Sequence, residues 1–290
     1  GVAAPFALAF AIIPFVMESS FNHTMFIAAA LTATSVGITA RVLQDTGRLK
    51  SPSGQIILGA AVIDDVLGII VLTVVAALVT KGTVSPSDMG ILLSKIAFFG
   101  IGVILIRKFF LQHALVRIRP FEVSGTVTIL LLSMTLIMAW TAEQAGLAGI
   151  IGAFALGIAL DDVHFSGFKE KGSYTLEHLM KPITDFFVPI FFIIMGTGVK
   201  MDALLRKDAL VLAGILIVAA LIGKLACGLA VSKKSKKMGA DPWLVGFGMV
   251  PRGEVGLIFA AMGQKLNIVG PVDYAAIVAM VAVTTLMAPV

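Results

Sequence analysis

The chain has 290 residues, of which 58% are hydrophobic and 13% are charged. Soluble domains are roughly 45–50% apolar and about 25% charged, so these proportions exclude a secreted or nucleic-acid-binding protein. The mean hydropathy of +1.02 indicates that lipid surrounds much of the chain. One cysteine, Cys227, excludes an intrachain disulfide.

Apolar stretches of the length typical of membrane helices occur ten times along the chain. They cover residues 2–17, 24–40, 56–79, 90–106, 124–142, 148–160, 183–198, 209–231, 242–263 and 274–290. We therefore predict an all-α membrane protein with about ten transmembrane helices. Because residue 1 already lies in an apolar stretch without an initiator methionine, we expect further helices before it.

The loops between these stretches differ in their content of Lys and Arg. Five cations fall in the loops on one side, namely Lys81, Lys200, Arg206, Lys207 and Lys265. The other side receives the larger share and is predicted to be cytoplasmic, which also places both ends of the chain there. The cluster from Lys233 to Lys237 fits this bias, and binding of acidic lipid is the alternative.

The first three and the last three predicted helices resemble each other. Each triplet has a middle helix rich in helix breakers, at residues 32–39 (TATSVGIT) and 246–256 (GFGMVPRGEVG). The triplets start on opposite sides of the membrane, so they are predicted to be inverted repeats. Paired interrupted helices in such repeats mark transporter binding sites, whereas close helix packing is the other explanation for these residues.

Five ionisable residues fall well inside the predicted helices. They are Asp64, Asp65, Lys224, Arg252 and Glu254. Unpaired, they would cost about 12–18 kcal/mol on insertion, so each needs a partner, water or a function. Helical rise places them at similar depth to Thr34 and Ser35 in the first predicted break.

The charges of these five residues do not balance. Three acids face two bases, so one carboxylate is left without a fixed cation, whereas a purely structural cluster would have equal numbers. Adjacent residues on a helix diverge by about 100°, so Asp64 and Asp65 must have different roles. A buried carboxylate favours neutralisation by a proton or a small metal ion. A site that accepts one or the other in turn is the chemistry of an antiporter.

Four stretches carry a resemblance to a known family. They are ATSVGITARVLQDTG, GAAVIDDVLGIIVL, DFFVPIFFIIMGTGV and GMVPRGEVGLIFAAMG. In this order they resemble the monovalent cation/proton antiporter-2 family, closely the bacterial NapA type, over essentially the whole chain. The resemblance implies two inverted repeats with broken, crossing helices, a separate dimerisation domain, a homodimer in the bacterial inner membrane and an elevator-like movement.

The resemblance also assigns roles to the charged residues. It implies that Asp65 binds Na⁺ and carries the proton, that Asp64 is its neighbour, and that Lys224 pairs with Asp64. Exchange of two protons per Na⁺, and hence electrogenic transport, is implied in the same way.

Further residues and the domain limits follow from the same resemblance. Thr34 and Ser35 match the first broken helix and support the ion site, and Arg252 and Glu254 match a structural charge pair beside the second. The expected domains are a core repeat at 1–79, a linker helix at 80–111, dimerisation helices at 112–208 and a second core repeat at 209–290. The family has additional helices before residue 2, which help to form the dimer interface.

The leading function is therefore exchange of Na⁺ or Li⁺ for H⁺, with no enzymatic activity and no cofactor. The alternatives are a K⁺/H⁺ antiporter, a sodium-coupled organic-anion symporter and a non-transporting sensor. An intramembrane aspartyl protease fails on spacing, because its carboxylates should face each other from separate segments. Besides the ions, membrane lipid is the expected partner.

Overall fold

The computed structural model describes residues 1–17, 19–81, 86–106, 126–145, 147, 149–160 and 176–287. Within these residues every regular element is a helix and no strand occurs, which confirms the predicted all-α class. The predicted loop at 107–123, the start of the predicted helix at 124 and residues 161–175 of the predicted connection 161–182 lie outside the described residues. Residues 176–182 of that connection are helical, which corrects the prediction.

Fourteen α-helices follow one another along the described chain. They are α1 (Ala3–Val16), α2 (Phe21–Ala30), α3 (Val36–Asp45), α4 (Pro52–Lys81), α5 (Pro86–Ile106), α6 (Thr126–Gln144), α7 (Gly149–Ala159), α8 (Leu176–Thr197), α9 (Met201–Leu204), α10 (Lys207–Leu225), α11 (Lys233–Lys237), α12 (Pro242–Gly248), α13 (Glu254–Lys265) and α14 (Pro271–Leu286). A 3₁₀ helix, Ala226–Ala230, extends α10.

Three of the described helices are long and apolar enough to cross a bilayer. They are Pro52–Leu78, Leu179–Thr197 and Lys207–Ala230. Four shorter apolar helices occur at Ala3–Val16, Ser94–Val103, Thr128–Gln144 and Pro271–Leu286. The predicted number of ten membrane helices is not confirmed, partly because the predicted stretches at 24–40 and 242–263 are each divided into two short helices.

Polar residues fix the starts of several helices. The Ser20 hydroxyl accepts the His23 N–H at 3.2 Å, and the Ser232 hydroxyl accepts the Ser235 N–H at 3.1 Å. Asp241 accepts the Trp243 N–H at 2.9 Å, one residue before the proline that opens α12. Such caps satisfy amide groups that have no partner within the helix.

The chain divides into two compact units. The first comprises Gly1–Thr83 with Phe192–Val290, and the second comprises Val84–Phe191. In the second unit α7 packs against α5 and α6. Its buried core consists of Val103, Leu131, Met138, Leu156 and Ala159.

Glycines allow the helices of the first unit to approach closely. A Cβ atom at Gly223 of α10 would lie 2.6 Å from the Pro5 Cα of α1, and one at Gly248 would lie 2.6 Å from the Ile57 Cδ1. Contacts of this kind are typical of packed membrane helices. They bring α10 close to α1 and α12 close to α4.

Two helices of the first unit are interrupted. The first interruption, residues 31–35, separates α2 from α3, and the second, residues 249–253, separates α12 from α13. Both are shorter than predicted: Gly37 lies in α3, Gly246 lies in α12, and Gly256 lies in α13. A helix accepts a single glycine at a cost of about 1 kcal/mol, whereas a proline such as Pro251 removes a hydrogen bond and restricts its predecessor.

Candidate functional site

The two interruptions are bonded to each other. The Ser35 N–H donates to the Pro251 carbonyl at 2.9 Å, and the Arg252 Nη1 donates to the Ala33 carbonyl. The Thr285 hydroxyl of α14 donates to the Arg252 carbonyl at 2.5 Å. Backbone groups that leave a helix need other partners away from water. Each interruption therefore satisfies part of the other, and together they form one polar layer.

Gly253 has a steric role in this layer. A Cβ atom at this position would lie 2.7 Å from both the Cβ and the Oγ of Ser35. Ser35 itself is 2% exposed. A residue larger than glycine would therefore push the second interruption away from the first.

The side chain of Lys224, on α10, extends into the polar layer, where its ammonium group forms three hydrogen bonds. Its side chain is fully buried, and Nζ donates to Asp64 Oδ2 at 2.5 Å, to Thr34 Oγ1 at 2.6 Å and to the Thr32 carbonyl at 3.1 Å. An ammonium group has three donors, so all of them are used. Lys224 and Asp64 are thus in contact, as the resemblance implied.

The charge of the Asp64 carboxylate is compensated by the fixed ammonium group of Lys224. The residue is 3% exposed, and its Oδ2 accepts hydrogen bonds from Lys224 and, at 3.2 Å, from the Thr34 hydroxyl. Oδ2 of Asp64 therefore faces a fixed cation and a hydroxyl donor.

Asp65, the next residue of α4, has a different environment. Its side chain is half-buried, yet its Oδ1 is shielded from solvent and has no hydrogen-bond partner. No cationic group of the described residues forms an ion pair with it. The turn of about 100° per residue carries it away from Lys224, so Asp65 is the carboxylate of the pair that lacks a fixed partner.

The predicted charge pair between Arg252 and Glu254 is corrected by the structure. These two described residues form no ion pair: Arg252 is 1% exposed and bonds the Ala33 carbonyl, with Nε and Nη2 buried and without partners. Glu254 is the first residue of α13 and is exposed. Its carboxylate is favoured there by the helix dipole, and the guanidinium is directed to the carbonyl that the first interruption frees.

Three partners in this layer were not predicted from the sequence. The carbonyls of Thr32 and Ala33 accept from Lys224 and Arg252 only because the helix stops before them. Thr285 lies in an apolar helix, where a threonine normally bonds its own preceding turn. The one sequence feature that pointed to Thr285 was its hydroxyl at the predicted depth of a helix interruption.

The polar layer offers the ligands that a small hard cation prefers. Such cations bind carboxylate, hydroxyl and carbonyl oxygens, and Asp65 has a carboxylate oxygen free for this purpose. No group of three or more His, Cys, Asp or Glu side chains suited to a transition metal occurs in the described part of the chain. The arrangement therefore suits a proton or an alkali-metal ion at Asp65.

Comparisons with known proteins agree with this chemistry. The family model for the transmembrane sodium/hydrogen exchanger matches residues 1–290. The chain is 36% identical over its whole length to the high-affinity Na⁺/H⁺ antiporter NhaS3 of Synechocystis, of which it covers 62%. It is 31% identical over 94% of its length to the Na⁺/H⁺-K⁺ antiporter GerN of Bacillus cereus, of which it covers 68%.

A third relative is the Na⁺/H⁺ antiporter of Enterococcus hirae, which is 29% identical over 92% of this chain. The chain spans 68% of that protein as well, so it corresponds to about two thirds of the length of these relatives. The whole-length match to the family model and the identity to the first two relatives lead to one assignment. The chain belongs to the family of transmembrane sodium/hydrogen exchangers.

Proposed function

We propose that this protein exchanges Na⁺ or Li⁺ for H⁺ across a membrane by alternating access. One observation carries the proposal: of two adjacent carboxylates in a buried layer, Asp64 is held by Lys224 and Asp65 has an unpartnered oxygen. The printed names of the Synechocystis and Enterococcus relatives describe the same exchange for those proteins.

Competition at one carboxylate produces the coupling. An ionised Asp65 is poorly solvated, so it is stable when a proton or a cation neutralises it. The two ligands exclude each other because both need the same oxygen. A site loaded with Na⁺ on one side of the membrane and with H⁺ on the other returns in neutralised form each time, and the result is exchange.

The same proposal includes the arrangement of the domains. Residues 1–79 and 209–290 form a transport core of two inverted repeats with crossing interrupted helices, residues 80–111 a linker, and residues 112–208 a dimerisation domain of a homodimer. The hydrogen bonds between residues 31–35 and 249–253 support a shared centre for the repeats. Alternating access then takes the form of movement of the core.

Lys224 has a role in the stoichiometry. Its ammonium group shares Asp64 Oδ2 with Thr34, so a cation that draws on Asp64 would displace it and allow it to lose a proton. Two protons would then be exchanged per Na⁺, and transport would be electrogenic. The proposal also includes a bacterial inner membrane as the location, with both ends of this chain in the cytoplasm. The Lys and Arg content of the loops supports this orientation.

Exchange of K⁺ is the second candidate. The printed name of the Bacillus cereus relative includes both Na⁺ and K⁺. A carboxylate and a few carbonyls bind both ions, and the preferred radius depends on cavity size and flexibility.

The test is proton flux in liposomes that contain the purified protein and a trapped pH-sensitive dye. Na⁺ and Li⁺, added separately, should dissipate an imposed pH gradient, whereas K⁺ and a large organic cation should not. A response to K⁺ equal to or above that to Na⁺ would establish the second candidate. Absence of flux with all three metal ions would contradict antiport, and a flux unaffected by an imposed membrane potential would contradict the electrogenic scheme.

A further inference from the structure

Four lysines gather on a short helix between the 3₁₀ extension of α10 and the start of α12. They are Lys233, Lys234, Lys236 and Lys237 of α11. All four side chains are exposed, and none of them forms an ion pair with any described residue. This group, termed the lysine patch below, is a concentration of charge that nothing in the described chain neutralises.

The local structure directs the lysine patch outward. At about 100° per residue the four side chains occupy an arc of about 160°, and Ser235 falls opposite its centre. Ser235 is partly buried, its hydroxyl lies 2.9 Å from the Ser232 hydroxyl, and its carbonyl accepts the Ala240 N–H at 3.0 Å. The bonds of Ser235 close α11 locally, and the residues that flank the helix, Val231 and Ala240, are buried in a hydrophobic cluster with Ile57 and Met249. The lysines are thus left free to face a ligand.

Large apolar side chains flank the lysine patch in the sequence on both sides. Leu229 is 86% exposed and precedes it, and Met238 is exposed immediately after it. Trp243 is 69% exposed, and its ring lies 6.3 Å from that of Phe247. Tryptophan at the end of a membrane helix lies at the level of the lipid headgroups. Two residues separate the apolar span Lys207–Ala230 from Lys233, so the cations reach that level too.

We propose that the lysine patch, together with Trp243, binds the phosphodiester headgroups of anionic phospholipids. Ammonium groups on one face supply charge to the phosphate, while Trp243 and Leu229 contact the acyl region beneath it. An acidic segment of a soluble protein would match the charge but would leave the flanking apolar side chains without a partner. The lysine patch follows α10 and its 3₁₀ extension along the chain, and α10 carries Lys224. An effect of the bound lipid on transport is the one consequence that rests on the proposed function.

Trp243 provides a local probe of the bound lipid. The chain has two tryptophans, so Trp140→Phe leaves Trp243 as the single fluorophore. The protein is reconstituted with mixtures of brominated phosphatidylglycerol or brominated phosphatidylcholine, and quenching of Trp243 gives the relative affinity of the two lipids. We expect the anionic lipid to be preferred about fivefold, with the preference reduced by high salt.

Charge variants separate a site from general attraction. In the Trp140→Phe background, Lys233→Gln, Lys234→Gln, Lys236→Gln and Lys237→Gln combined should reduce the preference to about onefold, while arginine at all four positions should keep it. The matched control removes the same charge at four scattered exposed lysines: Lys50→Gln, Lys200→Gln, Lys207→Gln and Lys265→Gln. It should retain the preference.

Several results would overturn the proposal. If the patch variant and the scattered control lost the lipid preference equally, the effect would come from net charge and not from the lysine patch. If the Trp140→Phe protein itself showed no preference for the anionic lipid, the four lysines would act only as determinants of membrane topology. Displacement of the lipid by excess inorganic phosphate would make free phosphate the ligand. Displacement by an acidic peptide at low concentration would identify a protein partner instead. Because quenching is read without transport, none of these results depends on antiport.

Discussion

Asp64 and Asp65 are neighbours on α4, but their carboxylates have opposite surroundings. The surroundings of Asp64 are complete, since Lys224 and Thr34 both donate to it and the residue is 3% exposed. The surroundings of Asp65 are incomplete, since its shielded Oδ1 accepts no hydrogen bond. One helical step of about 100° separates the two environments.

Under the proposed function, this difference allows a single helix to combine stability with exchange. A buried charge with a fixed partner is expensive to disturb and holds its surroundings in place. A buried charge without one is neutralised by whatever mobile ion reaches it. Asp64 therefore anchors α4 to α10, while Asp65 remains available for a ligand that comes and goes.

The largest effect is expected from removing the carboxylate of Asp65, which has no fixed partner. Asp65→Asn keeps the size and shape of the side chain but cannot be neutralised in turn by Na⁺ and H⁺. Proton flux driven by Na⁺ in liposomes should fall to the level of protein-free vesicles, with an unchanged melting temperature. Asp202→Asn, the same change at an exposed residue, should transport normally. Substantial Na⁺-driven flux in Asp65→Asn would move the exchange site elsewhere.

A stability cycle tests whether Asp64 is the anchored member of the comparison. Lys224→Gln leaves Asp64 buried without its cation and should cost about 3–5 kcal/mol of folding stability. Combining it with Asp64→Asn removes both charges and should restore most of that loss. Melting temperatures of the two single variants and the double variant in detergent give the answer. Equal destabilisation in Lys224→Gln and in the double variant would show that the pair contributes packing and little charge compensation.

Competition at Asp65 should make the affinity for Na⁺ depend on pH. While protons occupy the carboxylate, the apparent KM for Na⁺ should fall about tenfold per pH unit, because each unit removes nine tenths of the competing ligand. At higher pH the KM should flatten, and the rate should then decline as protons become scarce. Initial rates across Na⁺ concentrations at fixed ionic strength measure this. A KM that ignores pH would require separate sites for the two ions.

The smallest effect is expected from the Thr34 hydroxyl, which lies between Lys224 and Asp64. Thr34 accepts from Lys224 and donates to Asp64, so Thr34→Val leaves one donor and one acceptor short, at a cost of about 1–3 kcal/mol. The melting temperature should drop modestly while Na⁺-driven flux persists. Thr197→Val at an exposed position is the control and should change neither. Complete loss of flux with normal stability would place Thr34 among the ion ligands.

Counting the charged residues in the sequence predicted only part of the pairing in this site. Three acids against two bases predicted one carboxylate without a fixed cation, whereas among the described residues two of the three acids lack one: Asp65 in the buried layer and Glu254 at the exposed start of α13. The pairing of Arg252 with Glu254 was wrong, because counting assumes that each buried cation needs a carboxylate. Arg252 bonds the Ala33 carbonyl instead, and a carbonyl is available only where a helix is interrupted.

The interruptions were located but drawn too wide. Pro251 and the hydroxyls of residues 32–35 lie within them, whereas Gly37 and Gly256 are helical. Glycine permits an interruption without requiring one. Ser35 and Pro251 decide the limits by bonding each other, and they lie 216 positions apart in the chain.

Composition and hydrophobic periodicity were sufficient for the helical class and for the lipid environment, because both depend on local sequence alone. The identity of each partner depended on the packing of α4, α10 and the two interruptions. Lys224 and Asp64 lie 160 positions apart, and a shift of one residue in either helix would turn a different side chain toward the other by about 100°. Only the folded arrangement sets that register, and so it decides which aspartate is anchored and which is left free.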